Sequence, residues 1–133
     1  AAPDRTGLPA SVDPTDETDS VLLRRLKDLM EVRRIYLDPT LTFDRFVAEM
    51  GAPERTVRQL INRQLGHDHF RNFLNAYRVA EARRRLTDPT HRGEKLIAIA
   101  LDSGFASLAS FNRAFRAIEG CPPSAVRAEF ADF

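Results

Sequence analysis

The 133 residues are 43% hydrophobic, enough to bury a core for one domain or a compact pair of subdomains, and the single cysteine excludes an intramolecular disulfide. No apolar run approaches membrane-spanning length and the N-terminus lacks the charged and apolar regions of a signal peptide, so the expected location is cytoplasmic. The formal charge of +1 hides an asymmetry: residues 1–20 hold Asp4, Asp13, Asp16, Glu17 and Asp19 against Arg5, which leaves the rest of the chain at +5, the basic excess that an electrostatic nucleic-acid footprint requires.

Residues 1–20 combine prolines, acids and small polar residues with almost nothing to bury, and read as a disordered acidic linker. From about Asp19 the pattern changes. Leu22, Leu23, Leu26, Leu29, Met30 and Val32 favour one side, with Arg24, Arg25, Lys27, Asp28, Arg33 and Arg34 on the other. This predicts an amphipathic helix that ends near Tyr36, before the Asp38-Pro39 break.

Residues 41–66 read as a helix-turn-helix. Phe43, Phe46, Val47 and Met50 fall at i, i+3, i+4 and i+7, Gly51 supplies a turn, and Pro53 stands where a second helix can begin. Val57, Leu60 and Ile61 form the apolar stripe of that second helix. Outward lie Glu54, Arg55, Arg58, Gln59, Asn62 and Arg63.

Residues 69–87 carry no breaker before Asp88-Pro89, and Phe70, Phe73, Leu74, Tyr77, Val79, Ala82 and Leu86 are shared between two faces of one long helix. At about 1.5 Å rise per residue this helix spans roughly 27 Å, much of the roughly 34 Å between major-groove faces one DNA turn apart. Arg83, Arg84 and Arg85 point in three directions, as a solvated surface would, although a phosphate patch is the sharper alternative. A polar loop over 88–95 follows. His67, His69 and His91 have no cysteine or carboxylate at a zinc-type spacing, so no metal and no cofactor are expected.

Residues 95–120 form a second helix-turn-helix. Leu96 to Leu101 is wholly apolar and suits a helix buried on all sides, Asp102-Ser103-Gly104 stops it, and Gly104 is the residue best able to take a left-handed conformation. Ser107 is a good N-cap for the helix that follows, with Phe111, Ala114, Phe115 and Ile118 at i, i+3, i+4 and i+7. Its opposite face presents Ala109, Ser110, Asn112, Arg113 and Arg116, short-chained and basic, with groups suited to base edges and phosphates. Phe105 reads as a core residue locking the turn and Cys121 as a small packing residue. Pro122-Pro123 opens a last short helix. The two units repeat at an offset of 54 residues: Val57, Ile61 and Gly66 recur as Phe111, Phe115 and Gly120, whereas Arg58 and Gln59 become Asn112 and Arg113.

Ile99-Ala100, Gly104-Phe105, Ser107, Phe111, Arg113, Phe115, Gly120, Pro123 and Arg127 match, in order and spacing, the signature of AraC/XylS-type transcriptional regulators, and the chain resembles the DNA-binding domain of that family from about Leu22 to Arg127. Pro122 departs from a frequent capping serine and Val126 from a usual aromatic. The resemblance implies an all-α domain of about seven helices over residues 21–133, with two homeodomain-like helix-turn-helix subdomains joined by a linker helix. It further implies a bacterial regulator, activator or repressor, that binds double-stranded promoter DNA, contacts RNA polymerase, and has a sensor domain N-terminal to these residues, as a chain beginning with Ala rather than Met would suit. The residues expected to contact DNA are Arg55, Arg58, Gln59, Asn62, Arg63, Ala109, Ser110, Asn112, Arg113 and Arg116.

Two other classes compete. A helical protein-interaction module that has kept the fold and lost DNA binding would associate without regard to salt, whereas phosphate contacts weaken steeply as salt rises. An enzyme, such as a DNA-repair alkyltransferase carrying this kind of domain, lacks a nucleophile–base or metal constellation in the sequence.

Overall fold

The computed structural model describes residues 14–130, and among these the chain forms seven α-helices and no strand. The first, α1 (Pro14–Lys27), starts earlier than its pattern suggested. Proline is tolerated in a first helical turn and nothing from Thr15 to Ser20 breaks a helix, so residues 14–20 are helical rather than linker. The linker expected over residues 1–13 lies outside the described residues.

After Lys27 the helix widens into a π-helical turn over Asp28–Val32 and stops short of Tyr36, at Arg34, whose φ of 54° makes it a left-handed non-glycine. That conformation costs an L-residue about 1 kcal/mol. Val32, expected inside, is 72% exposed because the wider turn rotates it away from the core. The first helix-turn-helix consists of α2 (Phe43–Met50) and α3 (Glu54–Gln59). Thr42 caps α2 by accepting from the Arg45 amide, and Gly51 ends it at φ +67°. Helix α3 continues as a π-helical turn, Leu60–Gln64.

Helix α4 (Phe70–Leu86) belongs to both halves of the molecule. Its Phe73 and Leu74 complete a core with Leu26, Leu29, Met30, Phe46, Met50, Val57 and Ile61. Its Val79, Ala82 and Leu86 complete another, with Ile99 and Ala100 of α5 (Leu96–Asp102), Phe105 of the turn that follows, Phe111 and Phe115 of α6 (Leu108–Glu119) and Val126 of α7 (Pro123–Glu129). Helix α5 is not buried all round. Ile99 and Ala100 are fully enclosed, but Ile97 and Leu101 face outward because α4 and α6 cover a single side. Ile118 is likewise 45% exposed, one turn beyond the reach of the second core.

Between the two cores α4 carries the buried polar pair Arg78 and Glu81. The Arg78 guanidinium donates from Nε to the Tyr36 carbonyl and from a terminal nitrogen to the Asp38 carbonyl, both at 2.8 Å. Burial lowers its pKa to about 10, with the charge of Asp38 opposing and that of Arg71 adding to the shift, so it stays charged at neutral pH. Glu81 pairs with Arg34 at 2.6 Å and with Arg84 and Arg85 at 2.7 Å each. The ion pair with Glu81 anchors the side chain of the left-handed residue. The turn of the second unit closes against the same seam: Gly104 sits at φ +101°, and a Cβ built on it would lie 2.3 Å from the Tyr36 carbonyl oxygen and 2.8 Å from Arg78 Nε.

Two outcomes follow from this seam. For Gly104→Ala, the left-handed φ costs about 1 kcal/mol and the clash with a backbone carbonyl adds about as much again or more, so the thermal midpoint falls by several degrees; an unchanged midpoint contradicts the close approach. For Glu81, burial pushes the carboxyl pKa up, but the hydrogen bonds from Arg84 and Arg85 and the charge of Arg34 hold it down at about 2 against an ordinary 4.5. A carboxyl whose folded value is depressed contributes stability above its unfolded value and loses it as pH falls toward the folded one. We therefore expect Glu81→Gln to cost on the order of 3 kcal/mol at neutral pH, and that difference to shrink between pH 4.5 and 2 in parallel denaturant titrations. A difference that stays constant across the window shows that the charge contributes nothing.

Candidate nucleic-acid interface

Each helix-turn-helix buries one stripe of its second helix and leaves the other outside. On α3 and the turn after it, Val57, Leu60 and Ile61 are buried while Arg55, Arg58, Gln59, Asn62 and Arg63 are exposed. On α6, Phe111, Ala114 and Phe115 are buried while Ala109, Arg113 and Arg116 are exposed, with Ser110 and Asn112 half-buried. All ten sequence-predicted residues therefore lie on the two outward faces, and Phe105 is buried against Phe111 with ring centroids 5.3 Å apart.

The faces are not equivalent. Arg58 is already oriented: it reaches Glu54 at 3.1 Å and lies over the Phe43 ring, 4.7 Å from its centroid. Both partners of this ion pair are exposed, so it holds the guanidinium in place at little energetic cost to its release. Ser110 is committed more fully. Its amide donates to the Ser107 hydroxyl, which caps α6, and its hydroxyl donates to the Ser107 carbonyl at 3.0 Å. Among the described residues Arg55, Arg63, Arg113 and Arg116 have no ion-pair partner.

The arginine triplet of α4 is tied up within the fold. Arg84 and Arg85 hold Glu81, and Arg83 reaches Glu119 at 2.8 Å. His67 meets the Phe73 ring edge-on, and His91 pairs with Glu94. Among the described residues no group of three or more His, Cys, Asp or Glu side chains is placed to hold a metal ion, and no helix is long and apolar enough to cross a membrane.

A groove of about 620 Å³ runs between the two units, and sequence reading missed it. Arg113 of α6 lines one side, and on the other lies Phe43, the residue beneath Arg58. The α6 face thus borders the concavity directly, whereas α3 comes near it only through Arg58, which lies over the Phe43 ring. The floor of the groove is α4, through Arg71, Asn75 and Arg78, and none of its lining residues is acidic. The spacing i, i+4, i+7 of those three residues could have marked a polar stripe, but the stronger aromatic periodicity of the same helix obscures it.

The helix-turn-helix domain family matches residues 46–129, well over half of the chain. Among solved structures, a transcriptional regulator of the AraC-type DNA-binding domain-containing proteins from Chromobacterium violaceum is similar at 22% identity and a TM-score of 0.70, over 86% of this chain and 96% of that one. A protein of unknown function from Listeria innocua is similar at 24% identity and a TM-score of 0.62, over 77% and 93%. Both likenesses concern the fold. No curated protein matches the chain.

Proposed function

This chain belongs to the AraC-type helix-turn-helix domain family of DNA-binding transcription regulators, and from that membership we propose that it reads two adjacent major-groove segments of promoter duplex, with α3 in one and α6 in the other. The observation that carries the reading is the pair of outward basic faces, each on the second helix of its unit. Arg113, Gln59 and Asn62 have the donors for bidentate contact with bases, and Arg58 reaches the same side from its seat on Phe43. Ala109 and Ser110 allow α6 to approach the groove edge closely, the Ser110 hydroxyl donating to the Ser107 carbonyl and accepting from the Ser107 hydroxyl. Arg55, Arg63, Arg116 and Asn112 flank these positions and suit phosphate oxygens or outer bases. Contact with RNA polymerase and a separate sensing domain belong to the same proposal and rest on family membership alone. So does its role as a binding module rather than an enzyme.

The proposal requires an asymmetric site, since the two faces differ in sequence while one chain carries both. Selection from random duplex DNA will recover a non-palindromic site of about 20 base pairs. On that site Arg58→Ala or Arg113→Ala will cost about 1–3 kcal/mol and relax preference at one or two positions; an equal loss on every sequence makes the altered residue a phosphate contact.

Spacing supplies the second test. Inserting about 5 base pairs between the segments turns one to the far face of the duplex and will abolish two-segment binding. Inserting about 10 restores the face but adds about 34 Å, which the fixed α4 cannot span, so affinity stays low. Full rescue at the longer insertion would mean that the units move independently, and no loss at the shorter would mean that one unit alone reads DNA.

A further inference from the structure

Three residues on one stripe of α4, none of them among the expected contacts, line the groove between the first unit and α6: Arg71, Asn75 and Arg78. Arg78 is spent on the Tyr36 and Asp38 carbonyls. Arg71 is different. It is exposed, has no ion-pair partner among the described residues, and lies two turns from the buried Arg78, whose protonated form its charge disfavours. Asp38 offsets the charge of the buried Arg78, so the exposed Arg71 is the cation this concavity presents to an incoming anion, with no carboxylate in its lining to compete. Asn75, one turn on from Arg71, is half-buried and carries an amide donor, and Thr42 adds a hydroxyl at the groove edge.

We propose that this floor, Arg71 with Asn75 and the rim hydroxyl of Thr42, is a phosphate-binding site for the DNA strand that crosses between the two segments read by α3 and α6. The assignment rests on the two-segment reading above. A duplex carries about one negative charge per 1.7 Å of its axis, so the stretch between neighbouring major-groove segments presents backbone phosphates to whatever lies between the reading helices. Here that is a groove lined by Arg71 and Arg113 and free of acids. The contact positions the duplex and carries no sequence information.

The test compares the wild-type chain, Arg71→Ala and Arg71→Lys on the duplex recovered by selection, from 50 to 200 mM salt, with copies of that duplex bearing a single uncharged methylphosphonate at each phosphate between the segments. Arg71 is exposed, and equal melting midpoints will show that the variants fold. Loss of one phosphate contact lowers the slope of log K against log salt by about 0.9, so the loss of affinity across this range becomes roughly 3-fold smaller in Arg71→Ala and is restored in Arg71→Lys. One or two central methylphosphonates will weaken the wild type and leave Arg71→Ala unaffected, with base preferences unchanged. If the wild type protects both segments from cleavage yet Arg71→Ala keeps the full salt slope and the full methylphosphonate sensitivity, the groove assignment is wrong and the two-segment reading stands. If the wild type protects one segment only, both are wrong. A slope that falls in Arg71→Ala without any central phosphate responding places the contact elsewhere on the duplex and overturns the assignment as well.

Discussion

The relative placement of the two reading helices depends on a buried polar seam in the middle of a hydrophobic helix. Arg78 and Glu81 sit between the residues that α4 gives to one core and those it gives to the other, and neither is tolerable there without partners. Their partners come from both sides. Arg78 takes two backbone carbonyls from the loop between α1 and α2, and Glu81 takes Arg34 from the same loop with Arg84 and Arg85 from its own helix. A purely apolar contact of the same area would permit sliding, whereas these directional bonds admit one register. The approach of Gly104 to the Tyr36 carbonyl brings the turn of the second unit against the loop of the first without intervening side chain.

The outward faces inherit their geometry from this seam. The groove between the units is lined by Ser110, Arg113 and Ala114 of α6, whereas α3 reaches its edge only through Arg58, which lies over Phe43 of α2. What separates the two faces is therefore a property of α4 and its partners rather than of the reading helices. The arginine triplet shows the same division of labour: its charges serve the seam and the end of α6, while Arg55, Arg63, Arg113, Arg116 and Arg71 have no ion-pair partner among the described residues.

Much of this was legible in the sequence. The two glycine-punctuated turns, the Ser107 cap and the repeat of Val57 and Ile61 as Phe111 and Phe115 located both units, because they depend on local conformation and helical period. The ten outward residues were found by the same period. Features created by tertiary partners were not legible. Leu96 to Leu101 reads as wholly buried, yet α5 is covered on one side and Ile97 and Leu101 are left outside. Arg34 ends the first helix in a conformation normally left to glycine, which no propensity would assign to arginine before Glu81 is known to hold its side chain. Ser110 counts as a free polar group in the sequence and is a capping partner in the fold. The groove is made by two units brought together, so the polar stripe of Arg71, Asn75 and Arg78 on α4 could not be recognised as its floor from the sequence.

The sharing of α4 also bears on how this chain can come apart. The core of the first unit needs Phe73 and Leu74, and that of the second needs Val79, Ala82 and Leu86, so a break anywhere within the helix strips one unit of part of its interior. The internal duplication visible in the sequence accordingly does not mark two autonomous folding units. A helix shared by both interiors couples them, so melting of the pair as one cooperative body is the behaviour this arrangement predicts.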